Sequence, residues 1–285
     1  MSGRPLTRPR LDWVPILARA VEIVESYDTG VSLRQLHYRL VSEGLIPNTR
    51  SAYNTLSSAT AAGRRDGTFP DLIDLGRDIQ RAPAWDDAEG MAEAVIESFR
   101  LDRQREMDMS IYLGVEKRAL VAQLDAWFGD LGLPILALAG YASQSFVDQV
   151  RRDVVCQERP AVLLYGGDFD ATGEDIDRDF VERVGAFDEV IRVALTAQQV
   201  ESFRLPRMVG FDTDPRAAGF VARHGELVQV ELDALDPVDL RALFQVAIDE
   251  HMDMSRYQAV VDQEEAERQR LINALAHLDN EEPEQ

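Results

Sequence analysis

The sequence predicts an α/β protein in which a helical N-terminal module precedes a mainly parallel sheet. Three observations predict it. Apolar residues recur at helical spacing over residues 11–62. From about residue 109, short apolar runs alternate with amphipathic helical patterns, as strands and crossover helices do in a parallel sheet covered on both faces. And 285 residues, 45% of them hydrophobic, suffice for one large domain or two ordinary ones.

Taken in order, Leu11, Val14, Leu17, Ala18, Val21 and Val24 predict a first helix over 11–27. After a turn at Asp28-Thr29-Gly30, Ser32 and Gln35 form a capping box that opens a second helix, running to about Ser42 and ending at Glu43-Gly44. Pro47-Asn48-Thr49 opens a third, from Arg50 to Ala62, closed by Gly63. Arg64 to Pro70 reads as a turn or hairpin tip. Three helices at this spacing with a basic tip suggest a helix-turn-helix or winged-helix module, although short helical hairpins without nucleic acid look alike. Asp71 to Gly90 is a polar connector containing Arg81, Pro83, Trp85, Asp86 and Asp87.

Strands are predicted over 110–115, 134–139, 161–166, 190–195 and 227–232. Helices are predicted over 117–128, 143–154, 173–184 and 197–203 between them, and again through 237–278. Asn280 to Gln285 is an acidic tail, expected to be disordered. The expected division is therefore 1–88 for the helical module and connector, 89–279 for the sheet domain with its C-terminal helices, and 280–285 for the tail.

Composition narrows the chemistry. No apolar run reaches the length of a membrane span; Leu131 to Ala139 is short and holds Pro134. The arginine-rich start lacks the apolar stretch of a secretory signal. A lone Cys156 excludes an internal disulfide framework and a thiolate metal cluster, and fits a reducing cytosol, so a cytoplasmic location is expected. His37, His224, His251 and His277 form no HExxH and no i, i+4 pair, which argues against a histidine-based zinc site.

The formal net charge of −21 argues on its face against nucleic acid. It is unevenly spread. Residues 1–67 carry nine arginines (Arg4, Arg8, Arg10, Arg19, Arg34, Arg39, Arg50, Arg64, Arg65) against six acids, about +3, and the rest carries about −24. A basic head on an acidic body can bind DNA through the head; an average head on an acidic soluble protein is the plain alternative. Of the 30 basic residues only Lys117 is lysine. Arginine does not replace lysine where a compact charge or proton donor is needed, so Lys117 stands out.

Ligands bind beyond the carboxyl ends of strands in open α/β sheets. The first predicted strand ends Gly114-Val115-Glu116-Lys117, and the third ends Gly166-Gly167-Asp168-Phe169-Asp170-Ala171-Thr172-Gly173. In extended chain Asp168 and Asp170 point to one side, and the paired glycines remove side-chain bulk where a phosphate would approach. Glu116, Asp168 and Asp170 make an all-oxygen donor set suited to Mg²⁺. The plain alternative is that Asp170 or Thr172 caps the following helix while Asp168 sits in a solvated loop. Asp212-Thr213-Asp214-Pro215-Arg216 and Glu231-Leu232-Asp233-Ala234-Leu235-Asp236-Pro237 are also acid-rich. The second is a strand end whose acids can face the metal, with surface loops or helix caps as the commoner outcome.

These residues carry a resemblance. Val115-Glu116-Lys117 and the Asp168-x-Asp170-x-x-Gly173-x-x-Ile176 run resemble the Toprim domain of topoisomerases, primases and OLD-type nucleases. The likeness is to the topoisomerase VI A subunit and the meiotic double-strand-break transesterases, and most of all to the compact homologues called topoisomerase mini-A. Ala171 stands where that pattern has proline, as does Ala142 after Gly140-Tyr141. The resemblance covers most of residues 109–200. It implies a winged-helix domain before the Toprim domain, with a catalytic tyrosine in the Arg34-Gln35-Leu36-His37-Tyr38 segment. It implies Mg²⁺ on Glu116, Asp168 and Asp170, double-stranded DNA as partner, a homodimer in which the tyrosine of one copy meets the acids of the other, and a separate ATPase subunit as a further partner.

On the predicted second helix Leu33, Leu36 and Leu40 share a face with His37 at its edge. Tyr38 then falls opposite, one turn from Arg34, so it is expected to be exposed beside a cation that can favour its phenolate. Tyr53 is the fallback nucleophile. The function expected is a Mg²⁺-dependent, topoisomerase-like DNA transesterase with Tyr38 as nucleophile, Arg34 beside it, and Lys117 or protonated Glu116 serving the leaving oxygen. Arg34, Arg39, Arg50, Arg64 and Arg65 are the expected DNA contacts. The alternatives are a Toprim nuclease without a covalent intermediate and a non-catalytic DNA-binding accessory protein. Asp168-Phe169-Asp170-Ala171-Thr172 also fits the nucleophile loop of haloacid-dehalogenase-type phosphatases, with Arg192 or Arg207 in place of the lysine that chemistry wants. No GxxxxGK[ST] run exists, which excludes a P-loop.

Overall fold

The computed structural model describes residues 11–27, 30–73, 82–209 and 214–278. Arg4, Arg8, Arg10, Arg81, Asp212, Thr213 and the acidic tail lie outside the described residues. The chain is a mixed α/β protein that divides into two compact units. Unit one comprises residues 1–76, 168–171 and 195–240; unit two comprises 77–167, 172–194 and 241–285. This differs from a sequential split after residue 88: the connector goes with unit two, while 195–240 and the short 168–171 segment go with the N-terminal helices.

Unit one begins with α1 (Trp13–Glu25), α2 (Leu33–Ser42) and α3 (Arg50–Arg65). Each start has a local cause. The Asp12 side chain accepts from the Val14 N–H, Ser32 and Gln35 form the expected capping box, and the Thr49 hydroxyl accepts from Ala52. Ile16, Ala20, Ile23, Leu36, Leu40, Ala52 and Leu56 close a core over which Phe69 folds back. Gly63 does not end α3, which runs on to Arg65. A side chain at 63 would stand 2.7 Å from Phe69 Cβ, so this glycine serves the returning chain rather than a helix stop. After α3, the Ile73 N–H bonds the Val31 carbonyl and forms an isolated bridge with Ser32.

Later parts of unit one are α8 (Ala197–Ser202), β5 (Met208–Val209), α9 (Ala217–His224) and β6 (Val228–Gln229). The strand expected over 227–232 is thus corrected. Only two residues pair, antiparallel with β5, and Leu232–Ala234 turn into a 3₁₀ segment. The run joins no parallel sheet, because Leu232 and Ala234 bury within the 3₁₀ turn instead of alternating across a strand.

Unit two opens with α4 (Ala88–Ser98) and holds β1 (Ser110–Val115), α5 (Arg118–Phe128), β2 (Ile135–Ala137), α6 (Gln144–Cys156), β3 (Ala161–Gly166), most of α7 (Ala171–Val184) and β4 (Glu189–Ala194). The four strands are all parallel in the order β2-β1-β3-β4. Every residue of β1 and β3 is buried, which explains their continuous apolar runs. Tyr112, Leu163 and Tyr165 pack with Val147, Val150 and Val154 of α6 and Ile176, Phe180 and Val184 of α7. The helical stretch expected over 237–278 is two helices, α10 (Pro237–His251) and α11 (Met254–Leu278), parted at Met252-Asp253. No described helix is long and apolar enough to cross a membrane.

Candidate functional site

In unit two the strand order sets where the candidate residues stand. The chain leaves β1 for β2 on one side, then crosses to β3 and β4 on the other, so the carboxyl ends of β1 and β3 flank the point where the winding reverses. Crevices form at such points. Val115 pairs with Gly166, and the Glu116 N–H donates to the Gly166 carbonyl at 3.0 Å, so Glu116 leaves the sheet at that edge. Glu116 is half-buried, and Lys117 follows at the N-cap position of α5. The Ala139 N–H donates to the Glu116 carbonyl at 2.7 Å, and Ala139 takes a left-handed φ of 45° ahead of Gly140 at 83°. A non-glycine residue in that region stores strain, and it lies on the segment that resembles Gly-Tyr-Pro.

The exit of β3 is fixed from β4. The register slips between Tyr165 and Gly166, so Arg192 pairs with Tyr165 while Ala194 pairs with Gly166. Gly167 donates to the Ala194 carbonyl at 2.6 Å. Arg192 reaches the Gly167 carbonyl at 3.2 Å, lies 5.8 Å from the Tyr165 ring centroid and pairs with Asp177. Burial raises the Asp177 pKa, and Arg192 opposes that rise. Gly167 has a nearer cause than an approaching phosphate: a Cβ there would stand 2.6 Å from the buried Tyr165 hydroxyl.

Unit one holds a separate group of candidate residues. Asp168 is buried, with 8% of its surface exposed, and its Oδ1 accepts from the Leu232 N–H at 2.7 Å. Phe169 and Val230 exchange backbone hydrogen bonds of 2.8 and 3.0 Å, and Phe169 packs tilted against Phe220 and edge-on to His224. Asp170 is half-buried immediately before α7. A solvated loop for Asp168 is therefore corrected: the 168–171 segment is pinned to 230–232.

The same segment meets α2. Arg34 pairs with Glu231 and, at 3.2 Å, with Asp233. The Glu231 carboxylate lies beside the Tyr38 hydroxyl, and the Arg34 guanidinium lies 6.0 Å from the Tyr38 ring centroid. Arg39 pairs with Asp236 at 2.8 Å. The expected exposure of Tyr38 is corrected by this packing: Tyr38 is only 7% exposed, because the 231–236 turn covers the face of α2 opposite its leucines. Burial first, then the Glu231 carboxylate, push the phenol above its ordinary pKa, and Arg34 opposes them. His37 is buried between Tyr38 and Tyr53, edge-on to each, with burial lowering its pKa and Nε2 3.4 Å from the Asn48 Oδ1. Tyr53 is half-buried.

Of the expected DNA contacts, Arg34 and Arg39 are thus engaged with acids of their own unit. Arg50 and Arg65 are exposed, and half-buried Arg64 turns its Nε to the Thr60 carbonyl at 3.4 Å. Among the described residues, no three His, Cys, Asp or Glu side chains are gathered closely enough to enclose a metal ion. Mg²⁺ asks for less, since it commonly takes one or two carboxylates and keeps several waters. Glu231 and Asp233, which the sequence offered only as a strand end, are the residues whose placement adds most to the site. Their signal was the density of acids between Glu231 and Asp236.

The fold and site define a parallel-sheet α/β protein with acids at the winding reversal and a tyrosine–arginine pair in its helical unit. No protein-family model matches the chain, and no curated protein matches it.

Proposed function

We propose that this protein is a Mg²⁺-dependent DNA transesterase of the topoisomerase VI A-subunit type, with a winged-helix-like N-terminal part and a Toprim-like sheet. One observation carries the reading. Within unit one, Tyr38 with Arg34, and the Asp168 turn, are held by one short stretch, Val230 to Asp233, although Arg34 and Glu231 are 197 residues apart. A nucleophile candidate and a carboxylate candidate fixed to the same stretch are what phosphoryl transfer requires.

The donor chemistry suits Mg²⁺: Glu116, Asp168 and Asp170 are hard oxygen ligands, and one or two of them, completed by water, would hold it. When bound, the ion would neutralise charge developing on the phosphate. The chain's own groups do the rest. The Tyr38 oxygen attacks a phosphodiester in line, forming a phosphotyrosyl bond as the bond to the deoxyribose oxygen breaks. Lys117, at the N-cap position of α5, supplies the leaving oxygen with a proton. Arg50, Arg64 and Arg65 contact the DNA backbone; because Tyr38 and Asp168 are held by the same chain, each copy of the proposed homodimer carries its own pair instead of lending its tyrosine to the other, and an ATPase subunit is a further partner. The test is supercoiled plasmid with Mg²⁺, quenched in detergent and divided with and without protease. The reading expects DNA that leaves the protein phase only after proteolysis, and none for Y38F.

A second reading, a metal-dependent nuclease with the same acids and no covalent intermediate, is favoured by the burial of Tyr38. Broken DNA with free ends in both arms would establish it.

A further inference from the structure

We propose that Glu231 is the general base of the reaction, receiving the Tyr38 proton as the phenol oxygen attacks the phosphodiester. The inference rests on the transesterase reading above. It adds a catalytic residue outside the acids assigned to Mg²⁺ there.

The argument begins from what the phenol needs. Tyr38 is buried and its pKa lies above the ordinary value near 10, so at neutral pH the nucleophile is protonated and a group in contact must take its proton. The Glu231 carboxylate is the acid that lies beside that hydroxyl, in the cluster where Arg34 pairs with Glu231 and sits 6.0 Å from the Tyr38 ring centroid. Its side chain is 12% exposed, so little water competes for it. The acceptor is also held in place. Val230 is laddered to Phe169, and Leu232 donates to Asp168. Glu231 stands between these two anchors. A base positioned by a third group is the recurrent arrangement of activated hydroxyl nucleophiles.

Arg34 gives the transfer its electrostatic logic. It pairs with Glu231 and Asp233 while lying over the Tyr38 ring. Before transfer its charge is matched by the Glu231 carboxylate. Afterwards Glu231 is a neutral acid, and Arg34 can turn toward the phosphate bonded to Tyr38. The Tyr38 O–H bond breaks and an O–H bond forms on Glu231. The Tyr38 Oη–P bond forms while the P–O bond to deoxyribose breaks, and the leaving oxygen takes a proton from Lys117. Religation runs the same transfers backward, with Glu231 returning the proton to Tyr38.

The test is the single-turnover rate of phosphotyrosyl bond formation on supercoiled plasmid with Mg²⁺, from pH 6 to 10, for wild type, E231Q, E231D and Y38F. The charged and titratable groups facing the phenol are Arg34 and His37 from α2 and Glu231 and Asp233 from the 231–234 turn. At pH 7, E231Q is expected to lose about 10²- to 10⁴-fold in rate, with plasmid binding retained. Its rate should climb about tenfold per pH unit as the phenol ionises unaided. E231D, which keeps a carboxylate, should recover most of the loss. Glu231 is overturned as base if E231Q links DNA at the wild-type rate, if its deficit is the same at every pH, or if E231D is no better than E231Q. A wild-type protein that forms no phosphotyrosyl bond overturns the parent reading as well, which separates the two failures.

Discussion

The deepest-buried ion cluster in unit two gives a prediction whose size the structure sets. Glu264 on α11 is 1% exposed and accepts from Arg103 Nη2 at 2.9 Å, Arg268 Nη2 at 3.0 Å and the Leu101 N–H at 3.0 Å. The cluster ties α11 to the 99–104 stretch that feeds β1, the strand ending in Glu116. E264Q removes the charge and turns an amide toward these donors, leaving Arg103, 9% exposed, without its anion. Breaking a fully buried pair from one side costs about 3–5 kcal/mol; Arg268 is partly wet, so we expect about 2–4 kcal/mol here. At about 2–4 °C per kcal/mol for a unit of this size, the midpoint of thermal unfolding should fall by about 4–16 °C.

The pH dependence follows from the same contacts. Burial alone would raise the Glu264 pKa, but the bonds from Arg103, Leu101 and Arg268 outweigh it and hold the group down at about 2, against 4.5 ordinarily. A depressed carboxylate stabilises fully above its unfolded pKa and loses that contribution as pH falls through the folded one. The gap between wild type and E264Q should therefore be complete above about pH 4.5 and shrink toward about pH 2. Thermal unfolding followed by circular dichroism between pH 3 and 8 measures it. A fall under about 1 °C at pH 7, or a gap unchanged at pH 3, would refute the reasoning.

Three further outcomes are expected. G167A should destabilise by about 1–3 kcal/mol, because its methyl meets the immobile Tyr165 ring 2.6–2.9 Å away; denaturant unfolding measures this, and a neutral variant would return Gly167 to the role of phosphate approach. D168N keeps an acceptor for the Leu232 N–H and should abolish Mg²⁺-dependent cleavage with little loss of stability, whereas D168A should lose the activity and about 1–3 kcal/mol. The R64A/R65A variant should bind DNA more weakly and lower the salt slope of log K by about 2, read by fluorescence anisotropy at several salt concentrations; an unchanged slope would remove both arginines from the interface.

The parts legible in the sequence are those whose causes are local. β1 and β3 were readable to the residue because both faces of each strand are buried, which writes an unbroken apolar run. The capping box at Ser32 and Gln35 was readable because it needs only four residues. α4 was not: only its first turn falls in the polar connector, and its apolar residues Met91 and Val95 stay exposed, so no buried face marks it. Tyr38 was misjudged because one helix's periodicity reports a single buried face. The cover on its other side comes from the 231–236 turn, which begins 197 residues beyond Arg34. Glu231 was visible only as one acid among several, since the contact that gives it meaning is non-local.

The most direct measurement of the central claim is mass spectrometry of the detergent-trapped complex after nuclease and trypsin digestion. Cleavage after Arg34 and Arg39 isolates Gln35–Arg39, in which Tyr38 is the one tyrosine. The account predicts a nucleotide mass on the phenol of that peptide, dependent on Mg²⁺ and absent in Y38F. A nucleotide on the Tyr53 peptide, or cut DNA with no modified tyrosine, would contradict it.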